Sequence, residues 1–255
     1  MTDGQPQEMA AANPPANGRL EREPFWGYQD LLLFAAMALP SLLAAAAVMK
    51  GVLWVLPPRT GAHALQILGA QFLGYGLWFL WLYMLLKARY RRPFWQSLGW
   101  IRPLGRRRVG LFLGPVVALA VGALAAALGT PDIDTPIKEL LNDRFSLLLV
   151  GVFASTLGPL CEELAFRGFL FPLLARTFGP PAGVLLAAVP FALLHGPQYA
   201  WSWQHLVLIL LAGVAFGWVR HRTGSTSAAT LVHATYNLTF FTGYLLQGGD
   251  FPTQW

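Results

Sequence analysis

Residues 145–175 read FSLLLVGVFASTLGPLCEELAFRGFLFPLLA, and this stretch decides the fold. Its apolar length exceeds the 17–25 residues that a helix needs to cross a bilayer. In its middle stand two adjacent acids, Glu162 and Glu163, and Arg167 follows four residues after the second. One ionised carboxylate at bilayer depth costs about 2.5–3.5 kcal/mol on insertion scales. The pair therefore predicts a polar site, with partners, inside a membrane protein.

The composition of the whole chain is that of a membrane protein. Of its 255 residues, 55% are hydrophobic and only 12% are charged, whereas soluble domains carry about 25% charged residues. We expect an all-α fold: a multi-pass transmembrane helical bundle of about seven spans, with a polar site inside the membrane. The seven apolar stretches are Asp30–Met49, bent at Pro40, Ala64–Leu86, Val109–Leu128, Phe145–Ala175, Ala182–His195, Trp203–Val219 and Thr226–Leu246.

The positive charge of the chain is explained by membrane topology. The net charge is +6, and eight of the 18 basic residues lie between Lys87 and Arg108, in a loop between two apolar stretches. Cytoplasmic loops are enriched in Lys and Arg. We therefore predict an integral membrane protein of the bacterial plasma (inner) membrane with a cytoplasmic amino terminus. The lipid bilayer is a partner in this prediction, and nucleic acid is not.

Four segments are predicted along the chain. Residues 1–24, rich in Ala, Pro, Asn and Gly, are predicted to be a disordered cytoplasmic tail. Residues 25–144 hold the amino-terminal transmembrane helices and the basic loop, residues 145–246 the catalytic membrane core, and residues 247–255 a short tail. The single cysteine, Cys161, excludes an intramolecular disulfide and a cysteine-based metal cluster, and we interpret it as a small buried thiol rather than a nucleophile.

The two glutamates are predicted to differ in role. Glu163 and Arg167 have the acid-to-base spacing of four residues that suits a pair on one helix face. Glu162 points about 100° away from its neighbour and has no partner at that spacing. One carboxylate is therefore assigned to structure, and the other is free for acid–base chemistry.

Two later stretches carry histidines at a depth comparable to that of Glu162. His195 ends the fifth stretch, and His233 lies four residues before Asn237 on one face of the seventh. Together these groups suit hydrolysis of a carbonyl compound. Glu162, aided by His195, would take a proton from water, while His233 and Asn237 would hold the oxyanion. A structural helix–helix hydrogen bond remains the alternative for each histidine and the favoured reading for Asn237 taken alone.

Three motifs in this order resemble those of one enzyme family. They are E-E-x-x-x-R at Glu162–Arg167, F-x-x-x-H at Phe191–His195 and H-x-x-x-N at His233–Asn237. In their order and spacing they resemble the CPBP family, the type II CAAX prenyl proteases and their bacterial Abi relatives, over residues 145–245. The resemblance implies an intramembrane endopeptidase with a polar cavity open to the cytoplasm. Its substrate would be a membrane-associated peptide or protein, which in the namesake members is a prenylated CAAX protein.

The resemblance assigns a role to each motif residue. Taken alone, Phe191 reads as a packing residue. The implied catalytic residues are Glu162, His195, His233 and Asn237, and the implied supporting residues are Glu163, Arg167 and Phe191.

A cofactor and the oligomeric state are left open by the sequence. Family members have been described both as metalloproteases and as metal-independent enzymes. The chain has no H-E-x-x-H zinc signature, yet Glu162, His195 and His233 match in type the three protein ligands of an open catalytic zinc. The alternative function is a non-catalytic transporter or scaffold that uses the carboxylates for proton or cation coupling, although the chain shows no inverted repeat of the transporter kind.

Overall fold

The computed structural model describes residues 24–55, 62–101, 107–134, 140 and 143–246, and within them every regular element is helical. The two predicted tails lie outside the described residues, except for Pro24. The helices are α1 (Tyr28–Ala36), α2 (Ala38–Val55), α3 (Ala62–Tyr90), the short α4 (Phe94–Ser97), α5 (Arg107–Ala127), α6 (Arg144–Ser155), α7 (Leu157–Glu163), a π-helical turn (Leu164–Leu170), α8 (Phe171–Phe178), α9 (Pro180–Leu194), a 3-10 turn (Gly196–Tyr199), α10 (Trp203–Thr223) and α11 (Thr226–Leu246).

The predicted multi-pass helical bundle is confirmed, and the chain is an integral membrane protein. Within the described ranges, five helical segments are long and apolar enough to cross a membrane: Tyr28–Val55, His63–Tyr90, Gly110–Ala127, Arg144–Phe178 and Trp203–Thr223. Two of the seven predicted stretches do not meet the length and hydropathy expected of a membrane-spanning helix. The fifth forms α9, which has only 15 residues. The seventh forms α11, which is long enough but whose polar residues, His233 and Asn237 among them, lower its hydropathy.

Prolines explain the breaks inside two of the predicted stretches. The first stretch breaks after Ala36, four residues before Pro40, and the fourth breaks after Ser155, four residues before Pro159. A proline within a helix lacks the N–H that would bond to the carbonyl four residues earlier, and its ring crowds that carbonyl. The bend that the sequence places at Pro40 therefore occurs three residues earlier, at Met37.

Helix α11 lies in the middle of the bundle, where it contacts α5, α6, α7 and α10. Its first residues bind the loop that follows α4. The Thr226 hydroxyl donates to the Leu98 carbonyl at 2.6 Å, and the Thr226 N–H donates to the Gly99 carbonyl at 2.8 Å. The Ser225 hydroxyl donates to the Ile101 carbonyl at 2.6 Å. These bonds fix the position of the first turn of α11 relative to the loop that follows α4.

Helices α9 and α10 pack closely through small residues on α10. A Cβ added at Gly213 would lie 3.0 Å from the Phe191 ring and 3.2 Å from the Ala188 methyl, and one at Gly217 would lie 3.0 Å from Val184. Small residues four positions apart let two helix backbones approach in this way. The approach brings the backbone of α10 next to the Glu163–Arg167 pair.

Candidate active site

The acidic pair stands where the helix changes its winding. Glu162 and Glu163 end α7, and Arg167 lies within the π-helical turn that follows. A π turn bonds each N–H to the carbonyl five residues earlier, is rare, and occurs frequently at functional sites. It is therefore a local irregularity in the same segment that the sequence singles out.

Glu163 and Arg167 form a fully buried ion pair. Arg167 Nη1 lies 2.8 Å from Glu163 Oε1, as the spacing predicts, and both side chains are 0% exposed. Arg167 Nη2 donates to the Gly213 carbonyl at 2.7 Å. The guanidinium also lies over the Phe191 ring, 4.5 Å from its centroid. The arginine is therefore held on three sides, by the acid, by the backbone of α10 and by an aromatic ring.

His233 lies between the two glutamates. Its Nδ1 is 2.9 Å from Glu163 Oε1, and its Nε2 is 3.8 Å from Glu162 Oε2. The Phe216 ring stacks on the imidazole, with 4.4 Å between centroids. An ionised carboxylate only accepts hydrogen bonds, so Nδ1 carries the proton shared with Glu163 and Nε2 is the nitrogen that faces Glu162.

The two adjacent acids have different environments. Glu163 is fully buried, and its Oε1 receives both the Arg167 bond and the His233 bond. Glu162 is 22% exposed, and its ion-pair contact among the described residues is the longer one with His233. Only one of the two carboxylates is therefore accessible to a water molecule and a substrate, and it is Glu162.

The tautomer of His195 follows from its hydrogen bond. Its Nδ1 lies 2.7 Å from the Phe191 carbonyl, which can only accept, so Nδ1 carries the proton. In the neutral ring Nε2 then has a free lone pair. The Phe191 ring packs against both imidazoles, with centroids 4.8 Å from His195 and 5.9 Å from His233. Phe191 thus contacts both histidines, and no hydrogen bond or ion pair described in the structure joins His195 to either glutamate.

Asn237 bonds to the broken helix. Its Nδ2 donates to the Ala154 carbonyl at 2.7 Å, two residues before the break at Thr156. An amide group has two N–H donors, so this bond leaves one N–H and the side-chain carbonyl oxygen for other partners. Asn237 therefore has a structural contact in the free protein, as the alternative reading of the sequence expected, and it keeps a donor for chemistry.

The predicted metal ligands are not arranged as a ligand set. In the described part of the chain, no group of three or more His, Cys, Asp and Glu side chains is placed to hold a metal ion. Glu162 Oε2 lies 3.8 Å from His233 Nε2, whereas the described contacts of His195 are with Phe191. The donor types suit zinc, but this arrangement does not fit the three-ligand site that the sequence left open.

Three contributors to the site were not identified from the sequence as partners of these residues. They are the Gly213 carbonyl that binds Arg167, the Phe216 ring that covers His233 and the π turn itself. The close-packing pair Gly213 and Gly217 is a visible signal for the first, because a glycine lets the guanidinium approach the backbone. No sequence pattern marks the other two.

In a comparison with protein-family models, residues 144–239 match the family described as Type II CAAX prenyl endopeptidase Rce1-like. No curated protein and no solved structure gave a match to the chain. The matched segment runs from the start of α6 into α11 and contains all three motifs. Over residues 144–239, less than half of its length, the chain is therefore similar to the Rce1-like family of type II CAAX prenyl endopeptidases.

Proposed function

We propose that this protein is an intramembrane endopeptidase in which Glu162 activates the water that hydrolyses a peptide bond. The observation that carries the proposal is the asymmetry of the acidic pair. Glu163 is fully buried and bound by Arg167 and His233, whereas Glu162 is 22% exposed and faces His233 Nε2. A reactive carboxylate has to be reachable, and its surroundings have to be rigid.

In the proposed reaction, the Glu162 carboxylate takes a proton from a water molecule while the oxygen of that water adds to the scissile carbonyl carbon. The C–N bond then breaks, and the proton held by Glu162 passes to the leaving amine. His195 assists in the first step because the lone pair on Nε2 can accept a hydrogen bond from the same water. The products are a carboxylate and an amine, so the reaction needs no co-reactant except water.

The oxyanion of the intermediate needs donors that are already in place. Asn237 supplies the N–H of Nδ2 that Ala154 does not use. His233 supplies Nε2–H when its ring is protonated, and this nitrogen lies 3.8 Å from Glu162 Oε2. The Phe216 ring stacked on the imidazole limits its rotation, so the donor keeps its direction.

Glu163 and Arg167 are proposed to brace this arrangement. The Glu163 carboxylate orients His233 through Nδ1, as a carboxylate orients an imidazole in hydrolase triads. Arg167 in turn fixes Glu163 and binds α10 through the Gly213 carbonyl. The segment that carries Glu163 and Arg167 is thereby joined to α11 at Glu163 Oε1 and to α10 at the Arg167 guanidinium.

We propose a membrane-associated protein or peptide as the substrate, with a prenylated CAAX carboxy terminus as the first candidate. The family match supports this class, because CAAX prenyl endopeptidases cleave such termini. We further propose that the amino terminus is cytoplasmic and that the site opens to that side, in agreement with the basic loop around Lys87–Arg108. The segments 25–144 and 145–246 would then be a supporting and a catalytic part of one bundle.

The test is a cleavage assay with the protein reconstituted in liposomes. The substrates are a farnesylated peptide ending in a CAAX motif and the same peptide without the lipid, with products identified by mass spectrometry. We expect wild-type protein to cleave the farnesylated peptide, and Glu162→Gln and His233→Ala to lose the activity. The matched control is Cys161→Ala, which removes the neighbouring thiol and should cleave like wild type.

Two outcomes would overturn the proposal. Cleavage by Glu162→Gln and His233→Ala at the wild-type rate would exclude the assigned catalytic groups. If wild-type protein cleaves no peptide, the liposomes should be tested for proton uptake. Uptake that is lost in Glu162→Gln would favour a transporter that uses the same carboxylate for coupling.

A further inference from the structure

The π turn leaves backbone carbonyls that need a donor from elsewhere. The Phe171 N–H bonds to the Phe166 carbonyl, five residues back, and the next residue, Pro172, has no N–H. At this change from π to α winding, the carbonyls of the last π residues therefore outnumber the helical N–H groups that could bond to them. A buried carbonyl without a donor is destabilising, so a partner from another element is expected.

Trp26 is that partner. Its indole Nε1–H donates to the Phe169 carbonyl at 3.1 Å, although the two residues are 143 positions apart in sequence. The indole also stacks on the Phe169 ring, with 5.1 Å between centroids and 18° between planes. Trp26 is 1% exposed and Phe169 is 0% exposed. This contact is therefore as buried as the ion pair of the site.

The contact lies close to the acidic pair along the chain. Phe169 follows Arg167 by two residues in the same π turn. Gly168 packs against the loop that follows α4, since a Cβ there would lie 3.1 Å from Leu98 Cβ. The Leu98 carbonyl also accepts the Thr226 hydroxyl at the start of α11. The π turn and the helix that carries His233 are thus positioned against the same loop, with Trp26 holding the turn.

We propose that Trp26 is a positioning residue for the site. Its indole N–H keeps the π turn in the winding that brings Glu162 and Glu163 against His233. Without that donor, the Phe169 carbonyl loses its bond from outside the helix, and a change of winding that restored a second donor would rotate Arg167 relative to Glu163. The proposal rests on the proposed function for its catalytic consequence, but its structural consequence stands independently of any reaction.

The alternative is that Trp26 only fills space, and a substitution separates the two readings. Trp26→Phe keeps an aromatic ring to stack on Phe169 and removes the N–H. Trp78→Phe is the matched control, because the Trp78 indole also donates to a backbone carbonyl, that of Phe34 at 2.6 Å, and also stacks on its ring, at 4.2 Å and 5°. Trp78 makes no hydrogen bond to the π turn.

The first readout is hydrogen exchange of the backbone amides of residues 164–173, measured by mass spectrometry. We expect at least a tenfold faster exchange in Trp26→Phe and no change in this segment in Trp78→Phe. Equal exchange in the two variants would overturn the proposal. This readout needs no substrate, so it holds even if the proposed protease function fails.

The second readout is steady-state cleavage of the farnesylated peptide. We expect kcat to fall at least tenfold in Trp26→Phe with KM within twofold of wild type, and kcat of Trp78→Phe to stay within twofold of wild type. A Trp26→Phe variant with the kcat of Trp78→Phe would contradict the positioning role. If Trp26→Phe does not fold, replacement of Trp26 by 3-benzothienylalanine keeps both rings without the N–H, and the same outcomes apply.

Discussion

Replacing Arg167 by methionine removes the central connection of the site. Methionine fills most of the same volume, but it loses the 2.8 Å bond to Glu163, the 2.7 Å bond to the Gly213 carbonyl and the position over the Phe191 ring. Glu163, which is 0% exposed, keeps only the bond to His233. The substitution therefore leaves a buried carboxylate without its cation.

The expected cost follows from the burial of the pair. Removing one partner of a buried ion pair costs about 3–5 kcal/mol, because the remaining charge stays desolvated. The chain offers a matched control in Arg89, which lies 3.5 Å from Asp30 but is 45% exposed. Asp30 is only 2% exposed, but it also accepts hydrogen bonds from the Gly27 N–H and the Tyr90 hydroxyl. Because Arg89 itself is partly solvated and Asp30 keeps these donors, Arg167→Met should cost more than Arg89→Met.

The assay is equilibrium unfolding in mixed micelles by titration with sodium dodecyl sulfate, followed by tryptophan fluorescence. A third variant, Glu163→Gln with Arg167→Met, removes the orphaned charge and should be more stable than Arg167→Met alone, because coupled residues are not additive. Two results would refute the reasoning. One is a stability of Arg167→Met equal to that of Arg89→Met. The other is a double variant that loses the sum of the two single effects.

Three further predictions concern residues around this centre. Asn237→Ala removes the donor to the Ala154 carbonyl. In the same micelle titration it should lower the free energy of unfolding by about 1–3 kcal/mol, and in the cleavage assay it should lower kcat. An unchanged stability would mean that the bond is not formed. His195→Ala should lower kcat by about 10²–10⁴-fold. The control is His205, whose ring stacks on Tyr199 at 4.6 Å; kcat of His205→Ala should stay within a few-fold of wild type. Equal losses in the two variants would argue against a specific role for His195. A Cβ at Gly196 would lie 2.5 Å from the Trp201 indole, so Gly196→Ala should destabilise the protein by about 1–3 kcal/mol. The same substitution should cost less in a protein whose Trp201 is also replaced by alanine. An equal cost in both backgrounds would contradict the clash.

Much of the helical organisation was predictable because apolar length and proline placement act locally. The stretch at 145–175 contains both the acidic pair and Pro159, so a buried site and a break are both encoded in it. The four-residue spacing of Glu163 and Arg167 likewise sets their pairing, since it depends on one helical turn. The bend near Pro40 was misplaced by three residues because a proline acts on the carbonyl four positions before it.

The convergence of the site was less predictable from the sequence. Counting residues from helix ends predicts that Glu162 and His233 lie at comparable depth, to within about 9 Å, and their side chains are 3.8 Å apart, but the count does not say which atoms meet. Residue counts ignore helix tilt, the break at Thr156 and the π turn, all of which depend on tertiary packing. For the same reason Trp26 carried no signal, because its partner, Phe169, lies 143 residues away.

The turnover number of Glu162→Gln, measured beside wild type on the same farnesylated peptide in liposomes, tests the central claim most directly. Glutamine keeps the size of the side chain and removes only its ability to take a proton. The account predicts a loss of at least about 100-fold in kcat, within the range for a general base, with unfolding in mixed micelles unchanged because Glu162 is partly exposed and has a single 3.8 Å contact. A kcat within threefold of wild type, in a variant as stable as wild type, would contradict it.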